Sequence, residues 1–275
     1  LHEKKINKKI NRVPGNEISI YNLDKFAIVN EISLLIKSQF KKISEPKKQW
    51  PNKKKFCVVI THDCDRIFKY DYFNRLKLAN RFFATKEFKR SIQEYCKSIF
   101  SIPTKLLFSD PYFDSIDNWV KYEKKINAKS GFFISTFNCL NPKSSINDVL
   151  YDYSHPKIID KICELHNLGW EIGLHSSINA FSGNNIEIEV ERFFKKYKFY
   201  PDGIRAHYWS TDNFDLFKLK KVKKMGGFLY DSSLGLNELI GFRRGLCYPY
   251  KPFLPSTGEF CDIWELPVTC MDYGL

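Results

Sequence analysis

Short unbroken apolar runs alternate along the chain with longer stretches in which apolar residues recur every three or four positions. The run Phe56-Cys57-Val58-Val59-Ile60 leads straight into Thr61-His62-Asp63-Cys64-Asp65, an acidic tip. A continuous apolar run of this length predicts a strand buried in a parallel sheet. The same shape returns at Ser130–Phe137, Trp170–Ser177, Gly203–Trp209 and Gly227–Ser233, with Gly241–Arg243 and Trp264–Val268 as shorter candidates. Helical spacing fills the intervals. Phe26, Ile28, Val29, Ile32, Leu35, Ile36 and Phe40 predict a helix from about Asn22 or Asp24 through residue 41. Residues 71–102 read as one or two helices with Leu76, Ala79, Phe82 and Phe83 on the buried face. Further helices are expected over 114–127, from His155-Pro156 to near Gly169, over 186–199 and over 213–225, with Pro46, Pro51, Pro103 and Pro111 marking breaks.

Strands and helices therefore alternate, and strand after strand ends in a polar cluster. That is the layout of a (β/α) barrel carrying its site on the C-terminal face. An open Rossmann-type sheet is the alternative; no G-x-G-x-x-G follows the first strand, which counts against a dinucleotide site. Residues 1–55 are expected to form a basic N-terminal arm, broken at Pro14-Gly15-Asn16, plus a helix; residues 56–275 form the barrel. The chain starts at Leu1 rather than Met and stops soon after a strand candidate, as a piece of a longer protein would.

Composition narrows the partners. A 43% hydrophobic content with 24 Phe in 275 residues is ample for a core and argues against disorder. The formal charge of +13 invites nucleic acid as a partner. The lysines, however, are spread in pairs and triplets with no accompanying nucleic-acid motif. An anionic substrate, or peripheral association of the basic surface with a membrane bearing anionic lipid, fits better. The eight cysteines form no C-x-x-C pair, and Cys57, Cys139 and Cys163 lie in apolar segments as buried thiols do. A reduced, cytoplasmic setting is expected, with no signal peptide and no apolar run long enough to cross a membrane.

The candidate chemistry sits at the strand ends: Asp63 and Asp65, His175, Arg205 and His207, and Asp231. Side chains alternate along a strand, so Asp63 and Asp65 face one way and His62 and Cys64 the other. Two carboxylates on one side repel unless a cation or a proton lies between them. That predicts a metal ligand beside a general base; the alternative is a turn whose acids cap the next helix. One carboxylate and two imidazoles bind Zn²⁺ or a similar divalent ion and leave positions open for water and substrate. A second carboxylate can take the water's proton, and an arginine paired to it keeps it ionised. The reaction class is metal-assisted hydrolysis of an amide or ester.

These segments, in order, resemble the motifs of the polysaccharide deacetylases, the NodB homology family. Thr61-His62-Asp63-Cys64-Asp65 is similar to T-F-D-D, and closer to the T-x-D-x-[DE] form of a branch linked to surface-polysaccharide synthesis. Gly131-Phe132-Phe133-Ile134 resembles the A-T-F-F strand, and Trp170–Ser176 the H-E-[IV]-G-x-H-[ST] motif. Arg205-Ala206-His207-Tyr208 stands at R-x-P-[YF], and Tyr230-Asp231-Ser232-Ser233 matches Y-D-[ST]-[ST].

The resemblance covers about 56–272. It implies a distorted, incomplete (β/α) barrel that removes N- or O-acetyl groups from sugars with one divalent metal, expected to be Zn²⁺, in a bacterial cytoplasm. Asp63 takes the role of catalytic base and Arg205 that of its partner. Asp65 and His175 take metal-ligand roles. The family's second metal histidine falls on Asn179, and its proline on His207. Arg205 and His207 would share a face of their strand, so His207 is expected to supply the missing imidazole. The family's late Leu-His acid has no counterpart in Leu266–Asp272; the acid lies past residue 275, is His62, or is absent. The implied substrate is an acetylated sugar of a capsule or lipopolysaccharide precursor, with Tyr208 and Trp209 as candidate sugar-site aromatics. Two rivals share the fold: a carbohydrate-binding or scaffold domain without activity, and a hydrolase of small cyclic amides.

Overall fold

A computed structural model of the chain describes residues 27–39, 50, 52, 54–141, 144–181, 185–209, 227–236, 240–254 and 257–272. Helix α1 (Ile28–Gln39) precedes strand β1 (Thr61–Asp63). Helices α2 (Tyr72–Ala84), α3 (Phe88–Leu107) and α4 (Pro111–Lys125) then lead to β2 (Gly131–Ile134). Helix α5 (Pro156–Asn167) joins β2 to β3 (Glu171–Ser176), and α6 (Asn185–Tyr197) joins β3 to β4 (Gly203–Ala206). Strand β5 (Tyr230–Asp231), the hairpin β6 (Phe253–Leu254) and β7 (Glu259–Phe260), and β8 (Trp264–Glu265) complete the order.

Helix starts follow local chemistry. Asp110 caps α4 by accepting from the amides of Tyr112 and Phe113, and Pro111 sits where a missing N–H costs nothing. The same carboxylate accepts from the amides of Lys69 and Tyr70, tying the chain that leaves β1 to the start of α4. His155 caps α5 through Nδ1, and Gly169, at φ 83°, lets the chain turn back after that helix.

Six strands form one parallel sheet in the order β1-β2-β3-β4-β5-β8. Each successive strand is added on the same side, so there is no reversal of the kind that makes a doubly wound Rossmann sheet. The sheet is also strongly curled. Arg205 on β4 reaches Thr61 and Asp63 on β1 at 2.9 and 2.7 Å. Three strand spacings separate those strands, about 14 Å if the sheet were flat. Among the described residues β1 and β8 are not bonded to each other, so each is an edge.

Alternation divides the sheet into two faces. Phe132, Ile134, Ile172, Leu174 and Ile204 point outward into the main core, against Ile158, Ile162 and Leu165 of α5 and Ile186, Val190 and Phe193 of α6. Phe133, Arg205 and Tyr230 fill the inside of the curl. Two glycines make room for them: a Cβ on Gly203 would lie 2.3 Å from the Tyr230 ring, and one on Gly173 would lie 2.6 Å from Phe133. Tyr230 cannot retreat cheaply, because its hydroxyl donates to Glu171 at 3.0 Å. Gly203→Ala is therefore expected to destabilise the protein by about 2–3 kcal/mol, the upper range for overpacking, read as a lower denaturation midpoint with unchanged m-value.

Several sequence expectations are corrected. The apolar run before β1 is not buried: Phe56, Val58 and Val59 are 73, 70 and 60 % exposed, because β1 is an edge strand and only Thr61–Asp63 pairs with β2. Cys57 is exposed with them, whereas Cys139 is buried. Phe83 faces out, while Ala79 and Phe82 are buried as expected. Pro103 does not end a helix but lies inside α3 at an exposed position. Gly241–Arg243 is a turn rather than a strand, and the β6–β7 hairpin was not foreseen. The N-terminal arm and the expected helix over 213–225 lie outside the described residues. No helix among the described residues is long and apolar enough to cross a membrane.

Candidate metal centre

Three ligand atoms converge at the C-terminal ends of β1, β3 and β4. Asp65 follows β1, His175 lies on β3, and His207 follows β4; their donor atoms all lie within 4.8 Å of one another. Asp65 Oδ1 is 3.1 Å from His175 Nε2 and 3.6 Å from His207 Nε2. His207 arrives by a different route from the one the sequence suggested. Strand β4 ends at Ala206, and His207 opens a 3-10 turn in which Tyr208 and Trp209 take positive φ of 57 and 52°. Left-handed backbone at two aromatic residues is strained, and it stands where the chain leaves the sheet, directly after the imidazole.

Both rings are oriented from behind. His175 Nδ1 donates to the Arg205 carbonyl at 3.0 Å. His207 Nδ1 faces Asp148 Oδ1 at 3.4 Å. With the Nδ1 edges so occupied, both Nε2 atoms present their lone pairs to the same point when neutral. Asp148 was missed in the sequence. It sits in the turn-rich stretch after β2, 1 % exposed, and accepts from the amides of Ile178 and Ser145. Asp148→Asn is expected to weaken divalent-metal affinity by about 10- to 100-fold with the fold intact, measured by competition with a chromogenic chelator.

The electrostatics suit a cation. Partial burial would raise the Asp65 carboxyl, but the hydrogen bond and charge of His175, with His207 and Arg66 nearby, hold it at about 2. Burial would depress His175, but the charges of Asp63 and Asp65 and the bond to the Arg205 carbonyl raise it to about 8. Without metal, His175 thus carries a proton at neutral pH. One carboxylate oxygen and two neutral imidazole nitrogens form the donor set that Zn²⁺ favours, so the residues fit such an ion.

A second unit stands beside the triad. Arg205, its side chain 4 % exposed, donates from Nη1 to Asp63 Oδ1 at 2.7 Å and to Thr61 Oγ1, and from Nε and Nη2 to the carbonyl and hydroxyl of Ser232. Its guanidinium lies 4.3 Å from the Phe133 ring centre and 5.4 Å from that of Trp209. Every one of its bonds fixes the plane of the group, and so fixes Asp63.

Asp63, Asp65, His175, Arg205 and His207 line one cavity of about 790 Å³, with Tyr112 and Trp119 of α4 and Trp209 on its walls. A second cavity of about 390 Å³ shares Asp65, Arg66, His207 and Tyr208 with the first and extends along α2 and α3. Trp209 is buried rather than exposed.

Three other sequence candidates stand apart from the triad. His62 faces away from Asp63, as alternation predicted. Its Nε2 pairs with Glu123 at 2.8 Å and its ring packs edge-on against Trp119. Burial lowers its pKa more than Glu123 raises it. Asp231 does not join the site. It is buried beside its strand partner Glu265, whose carboxyl is pushed well above its ordinary value by burial and by Asp231, so that it keeps its proton. Asn179 lies after β3, accepts from the Asn185 side chain through its carbonyl, and lines neither cavity. No protein-family model matches the chain, and no curated protein matches it.

Proposed function

We propose that the chain is a metal-dependent hydrolase of the polysaccharide deacetylase type, built on a distorted, incomplete (β/α) barrel. Its substrate would be an acetylated sugar, above all an N-acetylated one, of a surface polysaccharide or its precursor. The observation that carries this reading is the placement of a carboxylate–imidazole–imidazole triad and an arginine-held carboxylate around one cavity.

Asp65, His175 and His207 would hold the ion. A divalent cation there supplies Lewis acidity, lowering the pKa of water and polarising the acyl carbonyl. Asp63 takes the proton of the attacking water. Arg205 fixes Asp63 by occupying Oδ1, which leaves the other carboxylate oxygen for that proton. Tyr112 and Trp119, 41 and 45 % exposed, offer ring faces on which the apolar side of a pyranose can rest.

Acetate release from N- and O-acetylated oligosaccharides, assayed with metal-loaded and metal-stripped protein, tests the reading. Metal-dependent release supports it. Opening of a small cyclic amide with no acetate released would move the chain to a different amide substrate. Glycan binding by metal-loaded protein with no turnover would leave a carbohydrate-binding domain.

A further inference from the structure

Helix α3 is fastened to the molecule by its polar side. Ser91 Oγ donates to the Ala79 carbonyl and Ser98 Oγ to that of Tyr72, both on α2. Between them Glu94 accepts from Arg75, also on α2, at 2.9 Å, and from Lys97. Ser91, Glu94, Ser98 and Ser101 are the buried residues of the helix. Its apolar residues are left facing out. Phe88, Ile92, Ile99 and Leu106 fall on one line at helical spacing, and Phe100 and Leu107 widen it; each is more than half exposed, Leu106 by 82 %. Phe83 on α2 packs edge-to-face on Phe88 and carries the stripe across the turn. Single exposed apolar residues are ordinary, but a continuous stripe along a helix about 30 Å long is not.

The charges around the stripe select its occupant. The exposed charged residues of α3 are Lys89, Lys97 and Lys105, all cationic, while its one carboxylate is buried. A second copy of the chain would bring these lysines against their own kind, in a protein of formal charge +13. Residues 1–26 and 40–49 are themselves rich in lysine and offer no better match. An apolar stripe flanked by lysines complements a bilayer surface bearing anionic headgroups. The helix is not apolar enough to cross, so it would lie in the interfacial plane.

We infer that the outward face of α3 docks the protein on an anionic lipid surface. The inference is independent of the deacylation reading, since its test involves no turnover. Arg90, Gln93, Glu94 and Lys97 of the same helix wall the smaller cavity, so docking sets the metal centre close to the lipid headgroups.

Co-sedimentation with phosphatidylcholine vesicles, and with vesicles of phosphatidylcholine and phosphatidylglycerol in equal parts, tests this. The whole chain is expected to bind the second kind only, and less well as salt is added. The double variant Phe100→Gln/Leu106→Gln, which removes apolar surface and no charge, is expected to weaken binding by at least about tenfold. Phe260→Gln, at an exposed site on the β7 hairpin, is expected to leave it unchanged. All these positions are exposed, and circular dichroism checks the fold. Failure of the wild-type chain to bind either vesicle overturns the inference. So does equal binding by the double variant, or a dimer in solution that the double variant dissolves while vesicles remain unbound.

Discussion

His207→Ala is expected to abolish stoichiometric binding of a divalent metal, and Asn179→Ala to leave it unchanged. His207 Nε2 is one of the three donor atoms that converge there among the described residues, 3.6 Å from Asp65 Oδ1. Removing a ligand outright costs more than removing the Asp148 carboxylate behind it, so the loss in affinity should exceed about a hundredfold. Asn179 lines neither cavity, so its truncation has no such route to the ion. Elemental mass spectrometry of the purified variants, with chelator competition, separates the two. The affinity also carries a pH signature. The ion must displace the proton that His175 holds up to a pKa of about 8 in the metal-free protein. Below that pH the apparent affinity should fall about tenfold per pH unit, and above it should level off. No metal uptake at any pH after reconstitution with zinc, cobalt or nickel would sink the hydrolase mechanism. Equal loss in both variants would sink the assignment of His207 as the second imidazole.

The sequence carried the chemistry of this site better than its path. The polar tips of β1, β3 and β4 named Asp63, Asp65, His175, Arg205 and His207, because charged groups at the same ends of parallel strands are carried to one side of the sheet. Alternation aligns His207 with Arg205 on one strand, but β4 stops at Ala206 and His207 opens the 3-10 turn that follows, from which its imidazole joins the triad. Periodicity has no term for such a turn. Asp148 was illegible for a related reason. It lies 59 residues before His207, the imidazole it faces, and its only local sign is an acid ahead of the apolar pair Val149-Leu150.

Apolar patterning also fails where burial depends on what lies opposite. Phe56, Val58 and Val59 read as core but flank an edge strand. The apolar side of α3 faces out, because two serines and a glutamate tie the helix to α2 by its polar side. The curl of the sheet was legible only as a barrel-like alternation; the reach of Arg205 across three strands, permitted by Gly203 and Gly173, gives it physical form.

Asp63→Asn is expected to lower kcat by about 10²–10⁴-fold while leaving metal content intact. The two effects separate because Asp63 is not among the three converging donors, yet it faces the same cavity. Asparagine keeps the size of the side chain and can still accept from Arg205 through its oxygen, so KM should move little. What it cannot do is take a proton. Arg205→Lys provides the complementary result. A lysine concentrates three donors on one atom and cannot span Asp63, Thr61 and both acceptors of Ser232, which the guanidinium joins at four separate points. It should therefore lower kcat through misplacement of Asp63, and also lower stability, because Ser232 and Thr61 lose partners in a buried setting. Measured together with metal content, the pair discriminates between roles. If Asp63→Asn lost metal in step with activity, Asp63 would be a ligand rather than the base. If it turned over acetylated sugar at the wild-type rate, the proton would be leaving by another group, and the Asp63–Arg205 pair would be a strap between β1 and β4 that holds the curled sheet together.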